Sequence, residues 1–469
     1  MKYFILKVAL LVFVVQFYSC DSFLDVYDEG SSNLNADVKT VEDYQKILNH
    51  IKFSEVDYLI ADMMSDDILL MDNSVQFSNH PHYINAYLWK KEFYDDNNQD
   101  HTYRNAYDRI SNYNIILDGV KNSEVGDENL REQVKAEALI QRAWEYFQLV
   151  NVYGKSYDEK DSKKDLGIPL VLTPYDKLLS RATVSEVYSQ ILSDIEYAIS
   201  IEELPAFGKD ILHPGKASAY ALLSRVYLYM GKFEESANIA DKALSLKNSI
   251  LDYNEYLKNS NSIFRELKDM SISSDDILFQ KNFLNIDFYT YNSNNFPYLS
   301  NSLVQLLGPN DLRLQLSTTK NDIFYSINGV GGGYKLGLDY GINVTEMYLN
   351  KAEYLARNNR HQEAVDILNK IRIKRLPMDT YQPLNASNLN NSLSLVLDER
   401  RRELFMHGGI RLFDLKRYIK QGIFNEKIVR NSTTDNSIMA ELESNSNRYI
   451  APIAYSLILA NPNIVQNDR

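Results

Sequence analysis

A single cysteine, Cys20, stands in 469 residues. No disulfide can form within the chain, and no paired Cys–His chemistry is available to it. The zinc-peptidase pattern HExxH and the nucleophile-elbow pattern GxSxG are also absent. A chain of roughly 450 residues needs no disulfide staple, because it can bury a sizeable core. Positive charge is in deficit, with 50 Lys and Arg against 63 Asp and Glu and a net charge of -13. Charge therefore excludes ordinary nucleic-acid binding and unaided adhesion to an anionic lipid surface. Tryptophan is scarce, with 2 residues against 34 tyrosines. A tyrosine ring joins an apolar face to a hydroxyl, a combination suited to sugars or extended peptides. A general bias toward Asn and Tyr in the coding genome explains the same count equally well.

Long apolar runs are missing too. The strongest, Val8 to Val15, follows Lys2 and Lys7 and is too short to span a bilayer. It fits the core of a signal peptide over residues 1–19. Cys20 follows Ser19, where a lipoprotein signal peptidase would cut. A lipid-modified N-terminus is preferred to an ordinary secretory signal, which would leave a free thiol on a secreted chain. Residues 20–40 then read as the lipidated N-terminus and a polar tether, and residues 41–469 as a single domain.

Lys216 to Leu244 reads as two helices joined by a turn. Ala217, Tyr220, Ala221, Ser224, Val226 and Tyr227 recur at the spacing of a buried helix face. Gly231 ends the first helix, since glycine takes the left-handed conformation at lowest cost. Phe233 opens the second, and Ala237, Ala240 and Ala243 let the two backbones approach closely. This is the tetratricopeptide pattern, and one unit cannot bury its own face. Residues 345–375 supply another unit at an offset of about 128 residues, with Tyr348 matching Tyr220 and Asn359 matching Gly231. Glu363, Ile367 and Lys370 likewise match Glu235, Ile239 and Lys242. Adjacent repeats are never so far apart, so an insertion separates them. Function is expected there.

The rest of the scaffold follows from periodicity. Val41 to Lys52 is the first helix. Residues 101–120 and 131–153 form a pair, with Ala136, Ile140, Ala143, Phe147 and Val150 on one stripe and Trp144 in the core. Thr183 and Glu186 form a capping box that opens a helix running to Ile199. The scaffold thus covers about 101–250 and 341–375, the insertion 251–340, and a C-terminal part 376–469. Within the insertion, Asp276 to Asn282 is a strand candidate.

Three clusters invite chemistry and are read as structure. Asp62, Asp66, Asp67 and Asp72 lack the spacing of a calcium loop and read as turn and helix-cap aspartates. Gly329 to Gly333 lacks the phosphate-loop spacing and reads as a flexible turn. Glu399 and Glu403 share one helix face but sit among Arg400, Arg401, Arg402 and Arg411. Neighbouring guanidiniums depress carboxyl pKa values, which favours an ion-pair network over an acid/base pair.

Several blocks occur in order along the chain. They are Cys20 with Phe23-Leu24-Asp25, Ala136 to Phe147 through Tyr153-Gly154, Gly167 to Leu170, and the repeat at 216–246. Glu346 to Glu353, Leu368 to Arg375, Glu399 to Leu404, Arg411 to Leu415 and the tail from Ala451 to Asn467 follow. With them the chain resembles the SusD/RagB family of outer-membrane nutrient-binding lipoproteins of Bacteroidetes. The resemblance implies a mainly α fold, a tetratricopeptide-like helical repeat scaffold with irregular loop and small β-hairpin insertions. It implies an extracellular lipoprotein, lipid-anchored in the outer membrane through Cys20, that caps a SusC-like TonB-dependent transporter. Such a protein hands a glycan or a peptide to the barrel and is not an enzyme. Neither cofactor nor metal is expected.

The ligand contacts must come from physical reasoning, because the family blocks are scaffold. Sugars stack on flat aromatic faces. Trp89 with Tyr83 and Tyr87 forms one candidate platform, in a stretch, Asn79 to Asp100, that reads as exposing aromatics. Tyr289, Tyr291 and Tyr298 form another. Ordinary loop packing of these tyrosines is the competing reading. Two further hypotheses stand beside the binding lipoprotein: a secreted glycoside hydrolase on a helical scaffold, and a tetratricopeptide adaptor that binds only protein.

Overall fold

The computed structural model describes residues 38–77, 80–95, 99–123, 126–258, 276–283, 297–321, 324–327, 340–385 and 392–469. Its long helices form the expected array. Helix α1 (Val41–Leu48) packs across α5 (His101–Asn122) and α6 (Glu128–Tyr153). Helices α7 (Val184–Ser200), α8 (Lys216–Tyr229), α9 (Phe233–Leu246), α13 (Val344–Arg357) and α14 (His361–Arg372) continue it, each packing on the one before. Between α1 and α5 lie the short helices α2 (Leu59–Met64), α3 (Asp72–Phe77) and α4 (Pro81–Tyr87). The insertion contributes α10 (Tyr253–Lys258), α11 (Asn301–Leu307) and α12 (Leu312–Ser317). The C-terminal part adds α15 (Ser392–Glu403), α16 (Ile410–Lys420) and α17 (Tyr455–Ala460).

Local signals act as the sequence requires. The Thr183 hydroxyl accepts from the Glu186 N–H at 3.2 Å while the Glu186 carboxylate accepts from the Thr183 N–H at 2.7 Å. This reciprocal cap fixes the start of α7. Gly231 ends α8 with φ +74° and Asn359 ends α13 with φ +58°, so both repeat units stop in the left-handed region. The units share a further detail: Lys242 lies over the Tyr220 ring at 5.7 Å, and Lys370 over the Tyr348 ring at 4.1 Å. Arg357 stacks on Phe233 at 3.9 Å and so ties the second unit to the first.

Short strands stitch the insertion to the N-terminal region. Strands β2 (Ile68–Leu69), β5 (Tyr298–Leu299), β7 (Phe324–Ile327) and β6 (Thr318–Asn321) form one sheet in that order. Strand β1 (Glu55–Val56) pairs parallel with β4 (Asn282–Phe283), and β3 (Ile277–Phe279) antiparallel with β8 (Ile342–Asn343). The expected strand at 276–282 is thus two short strands with different partners. A hairpin of β9 (Ile428–Asn431) and β10 (Ile438–Leu442) closes the C-terminal part.

The core is aromatic and, unusually, ionic. Phe147, Tyr229 and Phe413 meet with ring centroids 5.4 to 6.2 Å apart, so α16 docks directly on α6 and α8. Trp144 is fully buried, as its place beside the apolar stripe predicts. Around this cluster runs a chain of buried ion pairs. Arg225 meets Glu346 at 2.6 Å, Arg400 meets Asp414 at 2.8 Å, and Arg417 meets Glu353 at 2.6 Å and Asp414 at 3.0 Å. Burial pushes the Glu353 carboxyl up, but the Arg417 and Arg357 guanidiniums outweigh it and hold the group at about 2. Glu399 and Glu403 belong to a second cluster, paired with Arg313 at 2.7 and 2.8 Å. Arg375 also meets Glu403, at 2.7 Å. Burial raises the Glu403 carboxyl, and Arg375 and Arg313 together bring it down to about 2. Burial likewise raises Glu399, and Arg313 and Arg402 outweigh it and lower the group, so both glutamates are structural anions, and a carboxyl held low is a poor general acid near neutrality.

Removing one member of a buried pair leaves the other charge uncompensated, at a cost of about 3–5 kcal/mol. Arg225→Met strands Glu346, whose remaining guanidinium neighbour, Arg400, is 3.9 Å away. Urea unfolding is expected to show a loss of about 3–5 kcal/mol. A loss below about 1 kcal/mol, the scale of an exposed pair, would contradict this role.

Candidate functional site

Helix α4 packs on α2, and β2 between them joins the sheet formed with the insertion strands. Helix α4 begins with Pro81 at a position where a missing N–H matters little. It ends at Tyr87, and two residues on Trp89 takes φ +47°, an unusual value for a bulky residue. The Trp89 ring is fully buried, and its N–H donates to the Met64 carbonyl at 2.8 Å. Arg430, from β9, lies over the Trp89 ring at 4.6 Å and over Tyr87 at 4.1 Å. The same guanidinium donates to the carbonyls of Ile68 at 2.6 Å and of Ser65, holding the turn after α2. Burial pulls the Arg430 pKa down.

This corrects the expectation that the stretch exposes its aromatics. Trp89 and Tyr87 are both at 0% exposure, and Tyr298 on β5 is at 3%. None of the three presents a face for a sugar ring in this conformation. Tyr289 and Tyr291 lie outside the described residues. Among the described residues of the named set, Tyr83 alone is half-buried, with its hydroxyl donating to Asp57 at 3.2 Å.

Around Tyr83 stands a group that the sequence reading did not single out. The rings of His82 and Tyr83 are 4.2 Å apart, and His82 stacks on Tyr94 at 5.8 Å with planes 16° apart. His80 lies 5.9 Å from His82. His80, His82, Tyr83 and Tyr94 are each half-buried as whole residues. The abundance of His and Tyr between residues 79 and 100 was the signal available. What separated Trp89 from His82 is the position of Arg430, hundreds of residues further on.

Of the acidic cluster, Asp66 and Asp67 stand in the turn after α2, as expected, and all four aspartates also receive the C-terminal part. The Asp62 carboxylate accepts from the Gly409 N–H at 2.8 Å. Asp66 pairs with Arg411 at 2.7 Å and Asp67 with Arg401 at 2.7 Å. Asp72 accepts from the N–H groups of Thr433 at 2.8 Å and Thr434 at 3.2 Å. Burial pushes the Asp62 carboxyl up to about 7. Among the described residues no group of three or more His, Cys, Asp and Glu is arranged to hold a metal ion.

One buried cation sits where the insertion enters. Lys281 donates to the Phe53 carbonyl at 2.5 Å and to Gln141 at 2.7 Å. It lies between the rings of Trp144 at 5.0 Å and Phe279 at 4.9 Å. Burial lowers its pKa from 10.5 to about 7.

A tetratricopeptide-like helical scaffold with short strands stitching in an insertion defines a helical-repeat fold. Residues 22–228 match the family described as starch-binding associating with outer membrane, and residues 340–469 match the SusD family. The chain belongs to the SusD/RagB family. Over 138 residues it is 32% identical to SusD-like protein P2 of Formosa agariphila, a match spanning 29% of this chain and 23% of that protein's length. A SusD superfamily protein from Bacteroides thetaiotaomicron superimposes with TM-score 0.73 at 22% identity, covering 92% of this chain and 100% of that one. A laminarin-binding SusD-like protein superimposes with TM-score 0.63 at 20% identity, covering 90% of this chain and 96% of the other. At these identities the superpositions establish the fold.

Two outcomes follow from the burial of Trp89 and Lys281. Trp89→Ala removes a large fully buried ring, which typically costs about 3–5 kcal/mol. Chemical denaturation is expected to register that loss without any ligand present. Lys281 is depressed in the folded state, so the unfolded chain holds more protons between pH 7 and 10.5. The ammonium's burial penalty therefore fades as pH rises through that window. Wild-type stability minus that of Lys281→Met should increase with pH there, at up to about 1.4 kcal/mol per pH unit. A flat difference in paired thermal melts would contradict the assignment.

Proposed function

We propose that this protein captures a glycan at the cell surface and delivers it to a partner SusC-like TonB-dependent transporter. The observation carrying the proposal is its membership of a family described as starch-binding and associating with the outer membrane. The sharing of the fold, over 90% of the chain, with a protein that binds laminarin supports it. In this reading residues 1–19 are a signal peptide and Cys20 carries the lipid that anchors the chain on the extracellular face of the outer membrane. Two or more acyl chains would make that attachment stable, since a single one is marginal. The chain acts by binding, not by catalysis: its paired glutamates, Glu399 and Glu403, are neutralised by Arg313, Arg372, Arg375 and Arg402.

The ligand face in this proposal is the rim of His82, Tyr83 and Tyr94, with Tyr289 and Tyr291, which lie outside the described residues, as further candidate contacts. Half-buried rings give a sugar a stacking surface. Asp57, which accepts from the Tyr83 hydroxyl, fixes that ring's orientation. Trp89 and Tyr87 support this face from beneath, through Arg430.

Protein lacking residues 1–20 is expected to be retarded in gels containing one neutral glycan of a panel that includes laminarin. His82→Ala with Tyr83→Ala should weaken that binding about tenfold or more, equivalent to about 1.4 kcal/mol. Retardation unaffected by the double change would move the contacts to the insertion. Heat evolved with peptides and no retardation by any glycan would replace the glycan with a peptide. Release of reducing sugar by purified protein would overturn the non-catalytic reading.

A further inference from the structure

Two arginines grip the segment that leads from α4 to Tyr94. Arg430 holds its first part, through Tyr87 and Trp89. Arg469 holds the second. The Arg469 Nη1 donates to the carbonyls of Lys90 at 2.7 Å and Lys91 at 2.6 Å, and its guanidinium lies over the Phe93 ring at 4.5 Å. Residues 90–94 belong to no helix or strand, so regular secondary structure does not fix their path. We infer that Arg469 is a positioning residue for the proposed ligand face, fixing the backbone that carries Tyr94 without touching the ligand itself. The inference rests on the reading of His82, Tyr83 and Tyr94 as that face.

The contacts around Arg469 close into a circuit. Phe93 is buried, and its carbonyl accepts from the Asn85 side chain at 2.8 Å. The next residue, Tyr94, stacks on His82, and its hydroxyl bonds to Asp100. Asp100 also accepts from the Tyr153 hydroxyl, at the end of α6, at 2.6 Å. The Tyr153 carbonyl in turn accepts from the Asn467 side chain at 2.9 Å, two residues before Arg469. Other contacts hold the same stretch on the scaffold. Asn467 donates to the Ala451 carbonyl at 2.8 Å, Gln466 bonds Ile453 at 2.9 and 2.7 Å, and Arg181 donates to the Val465 carbonyl at 2.9 Å. Residues 465–467 are thus anchored independently of the rim, and Arg469 carries that anchor across to residues 90–93.

The chemistry of the contact calls for arginine. A planar guanidinium can bond two consecutive carbonyls and lie flat on a ring, whereas an ammonium is a point charge with neither a fork nor a face. Burial lowers the Arg469 pKa to about 10. The group still carries its charge at neutral pH, and bonds from a charged donor are the stronger kind.

Hydrogen exchange of the ligand-free full chain tests the placement, and glycan retardation tests its consequence. The amides of Leu88, Trp89 and Lys90 donate to carbonyls of α4 at 2.9 to 3.1 Å, so their exchange reports any loosening of the segment. Arg469→Ala should speed exchange at 88–90 and leave α6 unchanged. It should weaken glycan binding about three- to tenfold, as when one or two side chains must be ordered on binding. The melting midpoint should move by about 2 °C or less, the scale for a single contact in a large chain. Arg469→Lys should resemble Arg469→Ala rather than the wild type. Asn463→Ala removes a bond to the Leu178 carbonyl, 2.6 Å long, at the other end of the tail, and should change neither readout. Unchanged exchange at 88–90 in Arg469→Ala, or the same acceleration in Asn463→Ala, would overturn the positioning role. Wild-type protein retarded by no glycan would overturn the reading of the face, whereas wild-type retardation that Arg469→Ala leaves intact would overturn only the role given to Arg469.

Discussion

Every other part of the molecule depends on the arginines of the C-terminal helices finding carboxylates in the repeat scaffold. Arg400 on α15 and Arg417 on α16 reach Glu346 and Glu353 on α13, Asp414 on α16 bridges the two arginines, and Glu346 also meets Arg225 on α8. A buried ion pair adds little net stability over well-packed apolar side chains, because desolvation offsets most of its attraction. It does impose register: a helix slipped by one turn would strand each charge. That demand makes α15 and α16 sit in one place on an array whose alanine-lined grooves alone would accept several.

From that register the proposed ligand face follows. Once α16 is seated, Arg411 reaches Asp66 and Gly409 reaches Asp62, which fixes the segment carrying α2 and β2. Arg430 on the next hairpin then closes over Trp89 and Tyr87 and pins the turn after α2. His82, Tyr83 and Tyr94 are left as the half-buried rim. A rigid core that ends in a partly open aromatic edge is the arrangement a binding site requires, since ordering those rings on ligand arrival would otherwise cost entropy.

Local rules carried much of this to the sequence level. The Thr183–Glu186 cap, the left-handed stops at Gly231 and Asn359, and the burial of Trp144 each depend on neighbours within a turn or two. The pairing of Tyr220 with Lys242 and of Tyr348 with Lys370 was visible as a repeat match before it was visible as a contact. The placement of Trp89 was not visible: a lone tryptophan among His, Tyr and Asn reads as exposed. Its burial depends on Arg430, distant in sequence, and on a positive φ at the residue itself. The turn at Asp66 and Asp67 was legible, but their partners Arg411 and Arg401, far along the chain, were not.

The central claim is that a scaffold held by buried ion pairs presents residues 80–95 and the insertion to a glycan. Hydrogen–deuterium exchange with and without the bound glycan tests it most directly. The account predicts slowed exchange across 80–95 and within 251–340, with α6, α8 and α13 unchanged. Protection confined to the helices of the repeat array, or none anywhere despite measured binding, would contradict it.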